Sequence, residues 1–147
     1  MSIIEITTNK KQYLKLLLLA DEQESMIDRY LIRGRMFALL DGGIKALCVV
    51  TDEGDGILEI KNIVVDPPHQ KSGYGKCLIC FLEEYFRDQY QILQVGTGDS
   101  PLTVPFYMKC GFQLSHRIED FFIDNYDHPI IECGSQLVDM IYFRKHI

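Results

Sequence analysis

The spacing of apolar residues near the N-terminus is that of helices. Ser2–Ile6 has the composition of a short strand, and Leu14, Leu17 and Leu18 then recur at intervals of three and four residues. This spacing places them on one face of a helix. The same spacing returns over Glu24–Ile32. The pattern therefore predicts a strand followed by two helices.

After Gly34 the apolar residues come in short runs bounded by turns, which is typical of strands. We predict strands over Met36–Leu40, Ala46–Thr51, Ile57–Val65, Ile92–Val95, Phe112–Arg117 and Gln136–Phe143. A helix with Leu82 and Tyr85 on its apolar face precedes the strand at Ile92, and a shorter helix ends at Gly111. The 147 residues thus predict one α/β domain, residues 1–147.

The acidic residues are concentrated near the C-terminus. The chain has 15 Lys and Arg against 21 Asp and Glu, a net charge of −6, and six of the acids lie between Ile118 and Phe143, where Lys and Arg are absent. An acidic surface suits a nucleic-acid backbone poorly, so we expect no nucleic-acid partner. The longest apolar run is Cys77–Leu82, too short to span a membrane.

The cysteines indicate the compartment. Five cysteines and no recognisable export signal predict a cytoplasmic protein with reduced thiols. Cys77 and Cys80 form a C-x-x-C pair, but no second pair follows to complete a zinc site. We therefore interpret this pair as core residues and predict no metal.

The most informative segment joins the strand Ile57–Val65 to the next helix. Its sequence is Gln70-Lys71-Ser72-Gly73-Tyr74-Gly75-Lys76. The N-terminus of a helix binds phosphate through unpaired N–H groups, glycines keep the backbone accessible, and the two lysines add positive charge. The segment matches neither a P-loop nor a dinucleotide-binding fingerprint. A phosphate-binding turn and a plain tight turn both fit the pattern.

Gln70–Gly75 resembles the Q/R-x-x-G-x-G/A signature of the GNAT superfamily, the acyl-CoA-dependent N-acetyltransferases. Further on, Phe106–Phe112 resembles the family's Y-x-K-x-G-F segment, with Tyr107 lying 37 residues after Gln70. The resemblance extends over roughly Ser2–Arg144. It implies the α/β GNAT fold, a mixed, mostly antiparallel central sheet of about seven strands flanked by about four helices.

The resemblance also implies that acetyl-CoA is the co-substrate. Ile63, Val64 and Val65 would pair with its pantetheine arm, and a main-chain N–H near Ile63 would face the thioester carbonyl. The residues around its pyrophosphate would be Gln70, Lys71, Ser72, Gly73, Tyr74, Gly75 and Lys76. In a later loop, Asp99 stands where the family often has asparagine, and Ser100 beside it is a candidate cofactor contact.

Two side chains are candidates for catalysis. Tyr107 matches the family tyrosine that protonates the departing thiolate, and a core aromatic residue is the alternative. Glu59 lies eleven residues before Gln70, where some family members have a glutamate that removes the amine proton through water. The alternative for Glu59 is a solvent-facing strand acid. Pro105 falls where the helix carrying Tyr107 should be running, so that helix either starts near Val104 or is irregular.

The acidic segment is a candidate acceptor site, because family topology places the connection between the last two strands near the acceptor. Its candidate substrate-binding residues are Phe122, Asp124, Tyr126 and Asp127, accompanied by Phe121 and Glu132. Aromatic faces and carboxylates would attract a cationic amine. A solvated surface loop is the alternative.

Three functions fit the sequence to different degrees. The resemblance implies an N-acetyltransferase that moves acetyl from acetyl-CoA to a primary amine by direct attack in a ternary complex, with a small-molecule or peptide amine as acceptor. A non-catalytic acyl-CoA-binding sensor or scaffold is the alternative on the same fold, and a nucleotide-phosphate-binding domain is a third. A homodimer is left open.

Overall fold

The computed structural model describes all 147 residues and consists of nine strands and five α-helices. The strands are β1 (Ser2–Ile6), β2 (Arg35–Leu40), β3 (Ile44–Asp52), β4 (Ile57–Val65), β5 (Ile92–Gly98), β6 (Gln113–Ile118), β7 (Ile131–Glu132), β8 (Ser135–Gln136) and β9 (Met140–His146). The helices are α1 (Leu14–Ala20), α2 (Glu24–Asp28), α3 (Tyr74–Phe86), α4 (Val104–Lys109) and α5 (Phe121–Asn125). None of these helices has the length and apolar character needed to cross a membrane.

Seven strands form one sheet in the order β1-β2-β3-β4-β5-β9-β6, while β7 and β8 form a separate hairpin. All neighbours in the large sheet are antiparallel except β4 and β5, which run parallel. The predicted mixed, mostly antiparallel α/β sheet is therefore confirmed. A fifth short helix, α5, lies in the connection that precedes β7.

Two apolar layers cover the two faces of the sheet. On one face, Leu78, Leu82 and Phe86 of α3 pack against the sheet in the larger core cluster. On the other face, α1 and α2 contribute Leu17 and Ile27 to a second cluster. The helix α3 is rotated slightly from the expected face, since Tyr85 is 46% exposed and Phe86 is buried in its place.

Several element boundaries differ from the sequence-based expectations. The second helix ends at Asp28 rather than Ile32, and turns continue to Gly34, where Lys10 Nζ donates to the Gly34 carbonyl at 2.6 Å. The last strand starts at Met140 rather than Gln136. The C-x-x-C pair is core only in part, because Cys77 is half-buried and Cys80 is exposed on the outer side of α3.

A β-bulge interrupts the pairing of β3 with β4. Val50 lies opposite Ile60 and Val49 lies opposite Asn62, so Lys61 is an extra residue in β4. Bulges of this kind bend a strand and redirect its side chains. As a result, Ile60 and Ile63 pack towards α3, although they are three residues apart and a regular strand would send them to opposite faces.

Candidate active site

A cleft of about 510 Å³ opens where β4 and β5 separate. The two strands pair only from Ile57 opposite Ile92 to Ile60 opposite Val95. The residues lining the cleft come from both faces of the sheet and include Asn62, Ile63, Val65, Gln70, Gly96, Tyr107 and Asp21. A ligand in this cleft would therefore reach both the α3 face and the α1/α2 face of the protein.

The edge of β4 that faces the cleft offers backbone hydrogen-bonding groups. Asp66 N–H donates to the Lys45 carbonyl on the β3 side, so Val64 also points its backbone groups towards β3. Because neighbouring strand residues alternate, the N–H and C=O groups of Ile63 and Val65 face the cleft. The Gln70 side-chain amide lies 3.4 Å from the Val65 carbonyl, which agrees with this orientation.

The predicted phosphate turn leads from β4 into α3. Lys71 and Gly73 have left-handed backbone conformations, with φ of 64° and 86°. The first backbone hydrogen bond donated within α3 comes from Cys77 N–H to the Gly73 carbonyl, at 3.0 Å. Gln70 N–H donates to the Pro67 carbonyl at 3.3 Å, whereas the N–H groups from Lys71 to Lys76 donate no backbone hydrogen bond and are free to bind an anion. Tyr74 Oη donates to Asp41 of the β2–β3 hairpin at 2.8 Å and fixes the turn.

The two glycines of the turn serve different purposes. A Cβ at Gly73 would meet no atom within 4 Å, so glycine is required there by its positive φ. A Cβ at Gly75 would lie 3.1 Å from the Phe106 ring, so a larger residue there would crowd the packing of α3 against α4. The backbone of the turn is therefore accessible, while the first turn of α3 packs against α4, the helix that carries Tyr107. Lys71 and Lys76 are exposed beside it.

Tyr107 is held at the cleft by the end of its own helix. Helix α4 starts at Val104 with Pro105 in its first turn, which is the first of the two alternatives that Pro105 left open. At the C-terminus, Gly111 has φ of 92° and Phe112 N–H donates to the Tyr107 carbonyl at 3.1 Å, which is a Schellman motif. The Tyr107 ring contacts the Phe112 ring at 5.7 Å between centroids.

The environment of Tyr107 keeps its phenol protonated. The residue is only 5% exposed and lines the cleft. Burial raises the pKa of Tyr107, and the nearby Cys110 and Glu132 raise it further. The phenol of Tyr107 therefore stays protonated throughout the physiological pH range.

Ser100 lies beneath the loop after β5 and is 2% exposed. Its hydroxyl accepts a hydrogen bond from Leu102 N–H at 3.2 Å, and its carbonyl accepts from Val104 N–H at 3.1 Å. In the structure it shapes the start of α4. Asp99 beside it is exposed. Neither residue is among those that line the cleft.

Glu59 lies on the α1/α2 face in a second, smaller cavity and is buried rather than solvent-facing. Its Oε2 is 2.7 Å from Lys61 Nζ, and its Oε1 accepts from Gln94 Nε2 at 2.6 Å. Gln94 in turn accepts from Arg144 Nε at 2.7 Å. Burial and the carboxylates of Glu59 and Glu53 raise the pKa of Tyr142, which lines the same cavity, to about 12.

The acidic C-terminal segment is only partly at the cleft. Phe122, Tyr126 and Glu132 line it, and the Phe122 and Tyr126 rings stack at 5.5 Å. Asp124 and Asp127 are exposed and line neither cavity. The aromatic part of the expected acceptor wall is therefore at the site, whereas these two carboxylates point away from it.

Sequence reasoning missed a polar cluster between the two cavities. Asp21, at the end of α1, lines both of them and accepts hydrogen bonds from Tyr126 Oη at 2.6 Å and Tyr30 Oη at 3.0 Å. Asn62 Nδ2 donates to Tyr30 Oη at 3.1 Å. Asp21 and Tyr126 are 105 residues apart in the chain, so no local pattern could have revealed their contact.

Comparison with known proteins agrees with this geometry. Residues 33–114, more than half of the chain, match the family model described as an acetyltransferase (GNAT) domain. The Bacillus subtilis (strain 168) protein named Uncharacterized N-acetyltransferase YvbK is 35% identical over 137 residues, which cover 91% of this chain and 88% of that protein.

Two solved structures extend the comparison. A GNAT family acetyltransferase from Elizabethkingia anophelis with acetyl-CoA bound superposes with a TM-score of 0.92 at 32% identity, covering 99% of this chain and 97% of that one. An IAA acetyltransferase from Bacillus cereus ATCC 14579 superposes with a TM-score of 0.89 at 32% identity, covering 99% and 100%. With its cleft, open β4 edge and phosphate turn, this chain belongs to the GNAT superfamily and is an acetyl-CoA-dependent acetyltransferase.

Proposed function

We propose that this acetyltransferase transfers the acetyl group to a primary amine, which attacks the thioester directly while both substrates are bound. One observation carries the proposal. A single cleft is lined by the open edge of β4, by the buried phenol of Tyr107 and by the carboxylate of Asp21. Groups suited to the thioester, to the leaving thiolate and to an amine therefore share one cavity.

The reaction proceeds through a tetrahedral intermediate. The amine nitrogen forms a bond to the thioester carbon, the carbonyl oxygen becomes an oxyanion, and the N–H of Ile63 at the β4 edge donates to it. The C–S bond then breaks, and the CoA thiolate takes the proton of Tyr107 Oη. The nitrogen releases its extra proton to water, and Tyr107 recovers a proton from solvent before the next cycle.

The cofactor-binding residues are proposed on the same basis. The pantetheine arm pairs with Ile63–Val65, and the pyrophosphate is bound by the segment Gln70–Lys76, in which the backbone N–H groups from Lys71 onwards are free. Lys71 and Lys76 are exposed at this turn, so their charges strengthen the attraction for phosphate. The burial of Ser100 makes it a support of the loop rather than a direct contact in this proposal.

Glu59 is the proposed acceptor of the amine proton, through water. Its carboxylate is bound to Lys61 and Gln94, so a water would have to use the remaining lone pairs. Glu59→Gln keeps the size of the side chain and removes its charge. If Glu59 is the base, this variant should lower kcat/KM by about tenfold or more. If water alone serves, kcat/KM should stay close to that of the wild type.

An acetyl-CoA-dependent thiol-release assay over a panel of amines tests the reaction. The panel should contain alkylamines, diamines, peptides with free N-termini, lysine peptides and IAA, the last because of the Bacillus cereus relative. We expect amine-dependent thiol release and an N-acetylated product by mass spectrometry. Tight acetyl-CoA binding without release by any amine would contradict the proposal and favour a sensor.

A further inference from the structure

Asp21 lies where the cleft meets the second cavity, which has a volume of about 230 Å³. Glu59, Lys61 and Tyr142 line the second cavity on the α1/α2 face. Tyr126 and Lys61 line both cavities together with Asp21. A molecule that enters from the α1/α2 face therefore passes the Asp21 carboxylate before it reaches the open edge of β4.

The carboxylate of Asp21 is partly buried and has no cationic partner. It takes part in none of the ion pairs of the structure. The nearby cations bind elsewhere, because Lys61 Nζ lies 2.7 Å from Glu59 and Arg29 donates to Asn125. The charge of Arg29 acts on Asp21, but no ion pair joins the two side chains. A partly buried carboxylate without an ion pair is costly, so a cation brought by a ligand would be favoured here.

The surrounding hydrogen bonds leave only acceptors free. Tyr126 and Tyr30 both donate their hydroxyl protons to Asp21, which uses two of the roughly four acceptor sites of a carboxylate. Tyr30 Oη itself accepts from Asn62 Nδ2. No donor of this cluster therefore remains for a ligand that brings only acceptor atoms.

Asn62, which donates to Tyr30, has one unpaired acceptor, and that atom is buried away from the open space of the cleft. The residue is 3% exposed and lines the cleft, and its Oδ1 is buried without a hydrogen-bond partner. Its Nδ2 donates to the Leu17 carbonyl at 3.1 Å. Because a carbonyl can only accept, the amide group cannot be reversed, and the unpaired atom is the oxygen. A buried acceptor without a partner is rare in proteins.

The charge of the cleft points to the same ligand. Glu22 and Glu132 line it together with Asp21, and Lys61 is the single basic residue of its lining. A neutral alcohol has one proton to donate, whereas a primary ammonium group has three and a positive charge. Arg29 and Arg33 line the second cavity, so the negative lining belongs to the larger cleft alone. Among simple polar groups, the ammonium matches that lining and the Asp21 carboxylate, which makes no ion pair.

We propose that Asp21, held by Tyr30 and Tyr126, binds the ammonium group of the acceptor where the two cavities meet, and so makes the enzyme select cationic amines. The inference rests on the proposed amine acetylation, which it deepens by naming the acceptor class and its specificity-determining residue. The loss of the ammonium proton before attack is not assigned to Asp21.

Binding of matched probes tests this assignment without a known acceptor. The probes are benzylamine against benzyl alcohol and n-butylamine against n-butanol, added to the protein saturated with CoA and followed by backbone amide NMR. Each pair shares its shape and differs in charge. We expect the amines to bind at least about tenfold more tightly than the alcohols, with shifts concentrated at Asp21, Tyr30 and Asn62.

Variants separate recognition from structure. Asp21→Asn keeps the size of the side chain and should abolish the preference for amines. Asp88→Asn, which removes one charge from an exposed site at the end of α3, should keep it. Equal binding of amine and alcohol, a preference retained in Asp21→Asn, or no saturable binding of either amine would each overturn the proposal.

Failure of this inference can be distinguished from failure of the proposed reaction. Amine-dependent thiol release with unchanged kcat/KM in Asp21→Asn would refute the assignment of Asp21 and leave the reaction intact. Selective amine binding that is lost in Asp21→Asn, without thiol release by any amine, would refute the reaction and leave the binding site intact.

Discussion

Replacing Tyr107 by phenylalanine removes one oxygen from the cleft and leaves the aromatic packing in place. The ring lies 5.2 to 6.3 Å, between centroids, from the rings of Phe106, Phe112 and Phe143, and these contacts do not involve the hydroxyl. Its pKa is shifted by burial and by the charges of Cys110 and Glu132, without a hydrogen bond. The free energy of unfolding should therefore change by less than about 1 kcal/mol.

Turnover should respond much more strongly than stability. A general acid contributes about 10²–10⁴ to a rate, which corresponds to roughly 2.7–5.4 kcal/mol of activation free energy. Because a thiolate is already a fair leaving group, the loss in Tyr107→Phe can be smaller than this range, and we expect kcat to fall at least about tenfold. Binding of acetyl-CoA should stay within a few-fold of wild type.

The assay is steady-state thiol release at saturating acetyl-CoA, with calorimetry for acetyl-CoA binding and thermal unfolding as a check on the fold. Tyr13→Phe is the matched control, since Tyr13 packs beside the α1/α2 cluster and lines neither cavity. Since burial raises the pKa of Tyr107, wild-type kcat should show no loss from its ionisation near pH 10. A Tyr107→Phe variant with wild-type turnover would refute its role as the acid.

Three further predictions concern the turn, the helix end and Asp21. Gly73→Asp should abolish acetyl-CoA binding in calorimetry, because it adds a negative charge and strains the backbone at a positive φ. Gly54→Asp is the control, since Gly54 has a similar φ of 83° in a distant turn, and this variant should still bind acetyl-CoA. Equal binding by both variants would contradict the phosphate assignment. Gly111→Ala should lower the free energy of unfolding by about 1–2 kcal/mol, because alanine is strained at this positive φ. It should also lower kcat by displacing Tyr107. An unchanged unfolding temperature would contradict the predicted strain. Burial raises the pKa of Asp21 in spite of its tyrosine hydrogen bonds, so the ionised carboxylate destabilises the fold at neutral pH. Asp21→Asn should then unfold at a higher temperature than wild type at pH 7, and the difference in unfolding temperature should disappear below about pH 4. A variant that unfolds at a lower temperature than wild type at pH 7 would contradict this prediction.

Local patterns in the sequence predicted the strands well. The bounds of β1 and β4 agree with the expectation, because alternating or continuous apolar runs end at clear turn residues such as Pro67. The helix α2 was predicted too long because Tyr30 and Leu31 are buried by tertiary packing in a turn. Their spacing is the same as that of helical residues, so the pattern could not separate the two cases.

The site was predictable to the extent that it depends on contiguous motifs. The phosphate turn and the Tyr107 segment are short stretches of chain, and the structure brings Gln70 and Tyr107 to one cleft. The cluster around Asp21 joins residues from α1, from β4 and from the loop after α5. Composition directed attention to Asp124 and Asp127 instead, because a count of charges does not show which way each side chain points.

The bulge at Lys61 means that β4 follows two different alternation patterns along its length. Before it, Leu58 and Ile60 fill the core under α3; after it, Ile63 and Val65 take over that side. Without the extra residue, one half of the strand would have to turn over, either exposing core residues or turning the cleft-facing backbone towards β3. A one-residue deletion here should therefore be more harmful than most substitutions, and insertions or deletions at this position should be rare among sequences that retain the cleft.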